Sequence, residues 1–271
     1  VSDATATVGA GAATLVHHEP NVVAMSWAMA RRSLANTLRI PAAMIPILAM
    51  PLFFLISFTG TFNGIGRLLP TDNIYSWFAP FALLQGAAFA GFATGFGTVR
   101  DIETGFYDRL LLSPGSRFAL FLGPIMAGIV RATFTYAIVT GLGFALGAEL
   151  PGGPLGLVTL WVAAVGMATI ATGWALGVVY RIPGPQSGPL LQVGIFFTTF
   201  LSTGQVPISQ QIGWVKHLAR FNPLTNVLEL ARQGLIGDVT WRTTWPGLVA
   251  LTLSTAVLWT FAATGIRRLT A

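Results

Sequence analysis

The chain has 271 residues, 54% of them hydrophobic and 9% charged, with a formal net charge of +6. An ordinary soluble domain carries roughly 25% charged residues, so the composition fits a bundle of apolar helices with charge confined to loops and ends. The absence of cysteine excludes disulfides, thiolate metal sites and cysteine catalysis, and a basic excess in so apolar a chain reads as basic loops on one side of a membrane rather than nucleic-acid binding.

Residues 1–20 are small and polar and lack the basic start and apolar core of a secretory signal, so they read as a flexible cytoplasmic tail. From Asn21 to Arg39, Val23, Trp27, Ala30, Leu34 and Leu38 recur at helical spacing, while Arg31, Arg32, Asn36 and Arg39 fall mostly elsewhere on the wheel. This predicts an amphipathic helix lying on the membrane, with a packed surface helix as the alternative. Six apolar stretches follow: Pro41 to Phe58, Tyr75 to Gly97, Phe118 to Gly147, Gly156 to Val179, Pro189 to Thr203 and Trp245 to Ile266. The fifth is the shortest, and Pro46 with Pro51 predicts a kink in the first. The expected fold is therefore an all-α integral membrane protein with six transmembrane helices. An interfacial helix precedes the first, a short charged helix joins the second and third, and a re-entrant or outer helical segment joins the fifth and sixth. Residues 21–271 form one transmembrane domain.

Short-loop charges set the orientation. With the amino terminus inside, Arg31, Arg32, Arg39, Arg100, Arg109, Arg117, Arg181, Arg267 and Arg268 are cytoplasmic, against Arg67 in the opposite short loops. Both termini are expected in the cytoplasm and the membrane is expected to be a bacterial inner membrane, with Arg-rich, Lys-poor usage pointing to a GC-rich bacterium. Trp77, Trp214, Trp241 and Trp245 would form an outer interfacial belt. The pairs Gly91 and Gly95, Gly143 and Gly147, and Gly173 and Gly177 share the small-residue spacing that lets helix backbones approach closely.

Between the second and third stretches, Arg100, Asp101, Glu103, Asp108, Arg109 and Arg117 form the densest charged region of the chain. Ile102, Phe106 and Leu110 repeat every four residues, giving a short helix with an apolar stripe and a polar face before Ser113-Pro114 stops it. Such a helix can dock into a protein groove, and a solvated orienting turn is the competing reading. The run Arg100-Asp101-Ile102-Glu103-Thr104-Gly105-Phe106-Tyr107-Asp108-Arg109-Leu110-Leu111-Leu112-Ser113-Pro114 resembles the signature of type-2 ABC permeases, especially the daunorubicin-resistance-like branch of drug and lipid exporters. That resemblance implies a cytoplasmic coupling helix, formed by Asp101 to Leu112, seated in the cleft of a separate ATPase subunit. Farther on, Pro207, Trp214, Asn222-Pro223, Glu229 and Arg232 resemble the family's outer-loop pattern. Physically, Asn222 can cap a helix with Pro223 at its first position, and Glu229 can pair with Arg232 across one turn.

The absences narrow the function. The only lysine, Lys216, lies in no P-loop, so ATP and Mg would be bound by the partner ATPase and no cofactor is assigned to this chain. The six stretches hold no Asp or Glu, which weakens a proton-coupled carrier. His17 and His18 adjoin in the tail without further ligands, and no metal is assigned. Arg131 is the exception to the apolar stretches. Either it snorkels to the cytoplasmic surface from an overlong helix interrupted at Gly123-Pro124, or it lines the substrate path or its gate. The resulting expectation is the permease subunit of an ATP-driven exporter for a drug, lipid or glycolipid, paired with an ATPase and a second permease copy in contact with membrane lipid. A secondary carrier or channel and a non-transport assembly component are the alternatives. No residue is expected to do covalent chemistry.

Overall fold

The computed structural model of the chain describes residues 21–39, 41–64, 69–112 and 118–269. The expected tail, Arg67, Ser113, Pro114 and Arg117 lie outside the described residues. The elements in order are α1 (Val22–Arg39), α2 (Pro41–Phe62), α3 (Ile74–Glu103), α4 (Phe106–Leu112), α5 (Ala119–Ala145), α6 (Gly153–Val179), α7 (Ser187–Phe200), α8 (Gly213–Phe221), α9 (Pro223–Ile236) and α10 (Trp241–Leu269).

The expected six membrane spans are not what forms. Among the described residues, four helices are long and apolar enough to cross a membrane: α3, α5, α6 and most of α10. In α2 the apolar run is the shorter Ile47–Phe62. With 14 residues, α7 is only about 21 Å long, against a hydrocarbon core of roughly 30 Å. It stops at Phe200 because the chain unwinds there, and the freed carbonyls of Thr203 and Gly204 accept from the Arg232 guanidinium at 3.2 and 3.3 Å. Hydropathy counts apolar residues but does not register that stop.

The expected interfacial, coupling and re-entrant segments are also arranged differently. α1 packs lengthwise on α5 through its small and hydroxyl positions, burying Ser26, Ala30 and Thr37, while Val23, Trp27 and Leu38 of its apolar stripe point away. The charged stretch is divided between the end of α3 and α4. Instead of an outer excursion, α9 is a core helix packed on α3, α6 and α10, with ten buried positions from Leu224 to Leu235.

α3 is the axis of the bundle. Asn73 caps it by accepting from the Ser76 N–H at 3.0 Å, and its amide also donates to the Gly147 carbonyl at 2.7 Å, tying the start of α3 to the end of α5. Contact with α6 depends on glycine: a methyl group on Gly91 would lie 2.7 Å from the Ala168 carbonyl oxygen and 2.8 Å from the Thr172 nitrogen. Gly95 meets Ala175 one turn on, and Gly173 and Gly177 receive Trp259 and Phe261 of α10. Two of the three glycine pairs singled out in the sequence thus serve contacts within the chain. A further approach lies at Gly152 and Gly156, which have the same four-residue spacing but were not among the pairs singled out: a methyl group on Gly234 of α9 would fall 2.1 Å from the Gly156 Cα of α6.

Candidate functional site

At the end of the bundle where α3 finishes, the chain makes a sharp turn. Thr104 closes α3 with its N–H and its hydroxyl both donating to the Arg100 carbonyl, at 3.0 and 2.9 Å. Gly105 then adopts φ +65°, a left-handed conformation that side chains disfavour, and α4 starts at Phe106. The single helix expected from the spacing of Ile102, Phe106 and Leu110 is therefore broken in the middle. Ile102 packs at the end of α3 against a small cluster of Tyr107, Leu176, Tyr180 and Ala262. Phe106 starts α4, and Leu110 is half-buried.

Two contacts fix this corner. From α1, Arg32 donates both terminal nitrogens to the two carboxylate oxygens of Asp101 at 2.7 Å each, and its guanidinium lies 3.7 Å above the centre of the Phe106 ring. The Asp101 bond holds Arg32 above its ordinary pKa. On the other side, the Tyr107 hydroxyl donates to the Tyr180 hydroxyl at 2.7 Å, joining α4 to the end of α6. Burial pushes the Tyr107 phenol up to about 12 despite that bond, so it stays protonated. Glu103, Thr104, Asp108 and Arg109 are exposed on the outer side. The corner thus has a buried, cross-braced inner side and a charged outer side. The residues that pin it, Arg32 and Tyr180, escaped the sequence reading, because neither lies in the charged run. In sequence Arg32 reads as part of a membrane-facing helix, and a lone tyrosine after an apolar stretch carries no signal.

Arg131, on α5, neither snorkels nor reaches a carboxylate. It is 5% exposed and donates through Nε to the Ala90 carbonyl at 3.1 Å, and through Nη1 to the Ser33 and Thr37 hydroxyls at 3.2 and 3.1 Å. Nη2 donates to the Thr94 hydroxyl. A single guanidinium so joins α1, α3 and α5 through neutral acceptors. α5 continues unbroken through Pro124.

The second group of sequence-predicted residues comes together at the opposite end of α3. Asn222 caps α9 by accepting from the Leu224 N–H at 3.0 Å, with Pro223 in the first turn, and its amide reaches back to the Leu201 carbonyl at 3.2 Å. Arg232 pairs with Glu229 at 3.2 Å and stacks 3.6 Å over the Trp77 ring. Trp77 is consequently a buried partner of Arg232 and no part of an interfacial belt, whereas Trp214, Trp241 and Trp245 are exposed. Pro207 is buried ahead of a 3-10 turn, and Trp214, on α8, touches none of the Arg232 group in the described contacts.

Residues 26–236 match the ABC-2 type transporter family, a stretch that includes both ends of α3 and everything that braces them. The chain belongs to that family. ABC-2 permease domains are not themselves catalytic, and the ATPase activity resides in a separate subunit with which they pair in the membrane. Among relatives, the chain is 27% identical to the daunorubicin resistance ABC transporter permease protein DrrB1 of Streptomyces coeruleorubidus, over 82% of its own length and 77% of that protein. It is 25% identical to the probable multidrug ABC transporter permease YbhR of Escherichia coli over 65% of this chain, but spans only about half of that relative, 49%. With the probable doxorubicin resistance ABC transporter permease protein DrrC of Mycobacterium tuberculosis it shares 22% over 79% of this chain and 78% of the relative. This ABC-2 chain is a multi-pass, largely helical membrane protein.

Proposed function

We propose that this chain is the permease of an ATP-driven exporter, and that the corner formed by the end of α3 and by α4 is where its ATPase docks. The observation that carries the reading is the two-sided corner. Glu103, Asp108 and Arg109 are exposed to a partner, while Arg32, Phe106, Tyr107 and Tyr180 tie the same few residues to α1 and α6. A push on the outer side is then delivered to two helices rather than absorbed by a loose loop. Two permease copies, identical or closely related, would flank the path. In this reading the docking end faces the cytoplasm, as the short-loop arginines favour. The named drug-resistance relatives and the apolar character of the bundle support a hydrophobic or amphipathic cargo such as a drug or lipid. Arg131 fits the reading as the brace that holds α1 on α3 and α5 beside the cytoplasmic part of the path.

Co-expression with the partner ATPase tests the docking role. Glu103→Arg should abolish co-purification and transport while leaving the amount of folded permease unchanged. Intact complex formation with full transport would reject the docking surface. Substrate flux in liposomes driven by a proton gradient, without the ATPase, would favour a secondary carrier instead.

A further inference from the structure

Beside the docking corner lies a cavity of about 430 Å³ between α1, α3, α4 and the start of α5. Its long wall is a stripe of α3. Phe89, Ala93, Phe96 and Arg100 are separated by four, three and four residues, so they lie on one face and all line the cavity. Eleven residues of helix rise about 16 Å, which is about half of a roughly 30 Å hydrocarbon core and so the depth of one leaflet. The wall is apolar for most of that depth and ends on a guanidinium.

The charge at the mouth is unequal. Arg32 and Arg100 both line it, against the single carboxylate of Asp101. Both Asp101 oxygens are taken by Arg32, and Arg100 is exposed and has no ion pair among the described residues. One positive charge is left over, on a planar fork suited to a phosphate diester. Within one turn of Arg100, the cavity also reaches Gly97, where an added methyl group would meet nothing within 4 Å.

From this geometry we infer that the cavity is a binding site for one anionic phospholipid of the leaflet on the α4 side. Its phosphate sits at Arg100, and one acyl chain runs along Ala93 and Phe96 toward Phe89. The site lies against α1 and α4, which share the Arg32, Asp101 and Phe106 contact, so an occupied cavity supports the corner from within. The inference goes beyond the docking reading, because binding needs only this chain.

The test is native mass spectrometry of the full-length permease, purified without its ATPase and exposed to phosphatidylglycerol or phosphatidylcholine with identical acyl chains. One phosphatidylglycerol per chain should be retained, with phosphatidylcholine held about tenfold more weakly. Arg100→Gln should lower phosphatidylglycerol retention about tenfold, Arg100→Lys should keep most of it, and Gly97→Leu, which fills open space, should expel both lipids. Glycerol phosphate, the headgroup without chains, should not compete. Equal retention of the two lipids by the unaltered protein, or unchanged retention in both Arg100→Gln and Gly97→Leu, would overturn the site. Competition by glycerol phosphate as effective as that by the lipid would show a free-anion site and overturn the lipid assignment. Since no ATPase is present, loss of docking in Glu103→Arg leaves this outcome untouched, and a failed lipid site leaves docking untouched.

Discussion

The two ends of α3 use the same device in opposite circumstances. At one end Arg32 lies over Phe106 and pairs with Asp101. At the other Arg232 lies over Trp77 and pairs with Glu229. The ring distances are nearly equal, 3.7 and 3.6 Å, but the side-chain exposures are 41% for Arg32 and 0% for Arg232. Charge in contact with water can leave its partner at little cost, whereas a buried guanidinium cannot move without abandoning every acceptor it satisfies. Arg232 also donates to three carbonyls, that of Trp77 within α3 and those of Thr203 and Gly204 in the unwound chain after α7. The same chemistry thus makes a permanent lock at the α9 end and a releasable latch at the α4 end, where motion from a motor would have to arrive.

The sharpest way to break that contrast is at the lock. Arg232→Leu should destabilise the protein by about 3 kcal/mol, because buried carbonyls lose their donors and Glu229 loses its partner. The thermal midpoint in detergent would register this, and a shift no larger than that of Arg32→Gln would erase the distinction. Next in size is the seam between α3 and α6. Gly91→Ala should cost about 1–3 kcal/mol, since its methyl group meets the Ala168 and Thr172 backbone, which cannot step aside as a side chain does. Gly97→Ala, in the same helix but facing open space, should be neutral or gain up to about 1 kcal/mol from helix propensity. Equal effects of the two glycines would show that α3 and α6 do not need the close approach.

These comparisons also mark what the sequence could convey. Local chemistry was legible: the Asn222 cap with Pro223, the Glu229 and Arg232 pair, the glycine spacings at Gly91 and Gly173, and the charged run from Arg100. Each is a pattern within one or two turns. The span count was not, because whether an apolar stretch becomes a long helix depends on distant partners, and Arg232 stabilises an unwound chain after α7 from 28 residues farther on. The break at Gly105 was readable in principle, since glycine inside a helical stripe is a standing candidate for a turn. Arg32, Tyr180 and the Ser33, Thr37 and Thr94 hydroxyls around Arg131 were out of reach. Their significance lies in contacts between helices far apart in the chain.

A smaller effect is expected between the lock and the latch, at the Tyr107 and Tyr180 pair. Tyr107→Phe should cost about 1–2 kcal/mol, because the Tyr180 hydroxyl is left buried without its partner. Adding Tyr180→Phe should return most of that loss, as removing both members of a buried hydrogen bond can be nearly neutral. Additive losses in a double-mutant cycle would mean that the two rings, rather than the hydroxyl bond, join α4 to α6.

The least change in stability and the most informative change in behaviour are expected from Arg32→Gln. An exposed ion pair contributes about 0.2–1 kcal/mol, so the melting midpoint should hardly move. The coupling should move more. Without the guanidinium, Asp101 at the end of α3 and Phe106 at the start of α4 are no longer tied to α1. ATPase binding should then survive while transport per ATP falls several-fold. Raised salt should mimic the variant in the unaltered protein, since the pair is within reach of screening ions, and should leave the Arg232 contacts unaffected. Full transport per ATP in Arg32→Gln would show that α4 acts through Tyr107 and α6 alone, and the latch would lose its role.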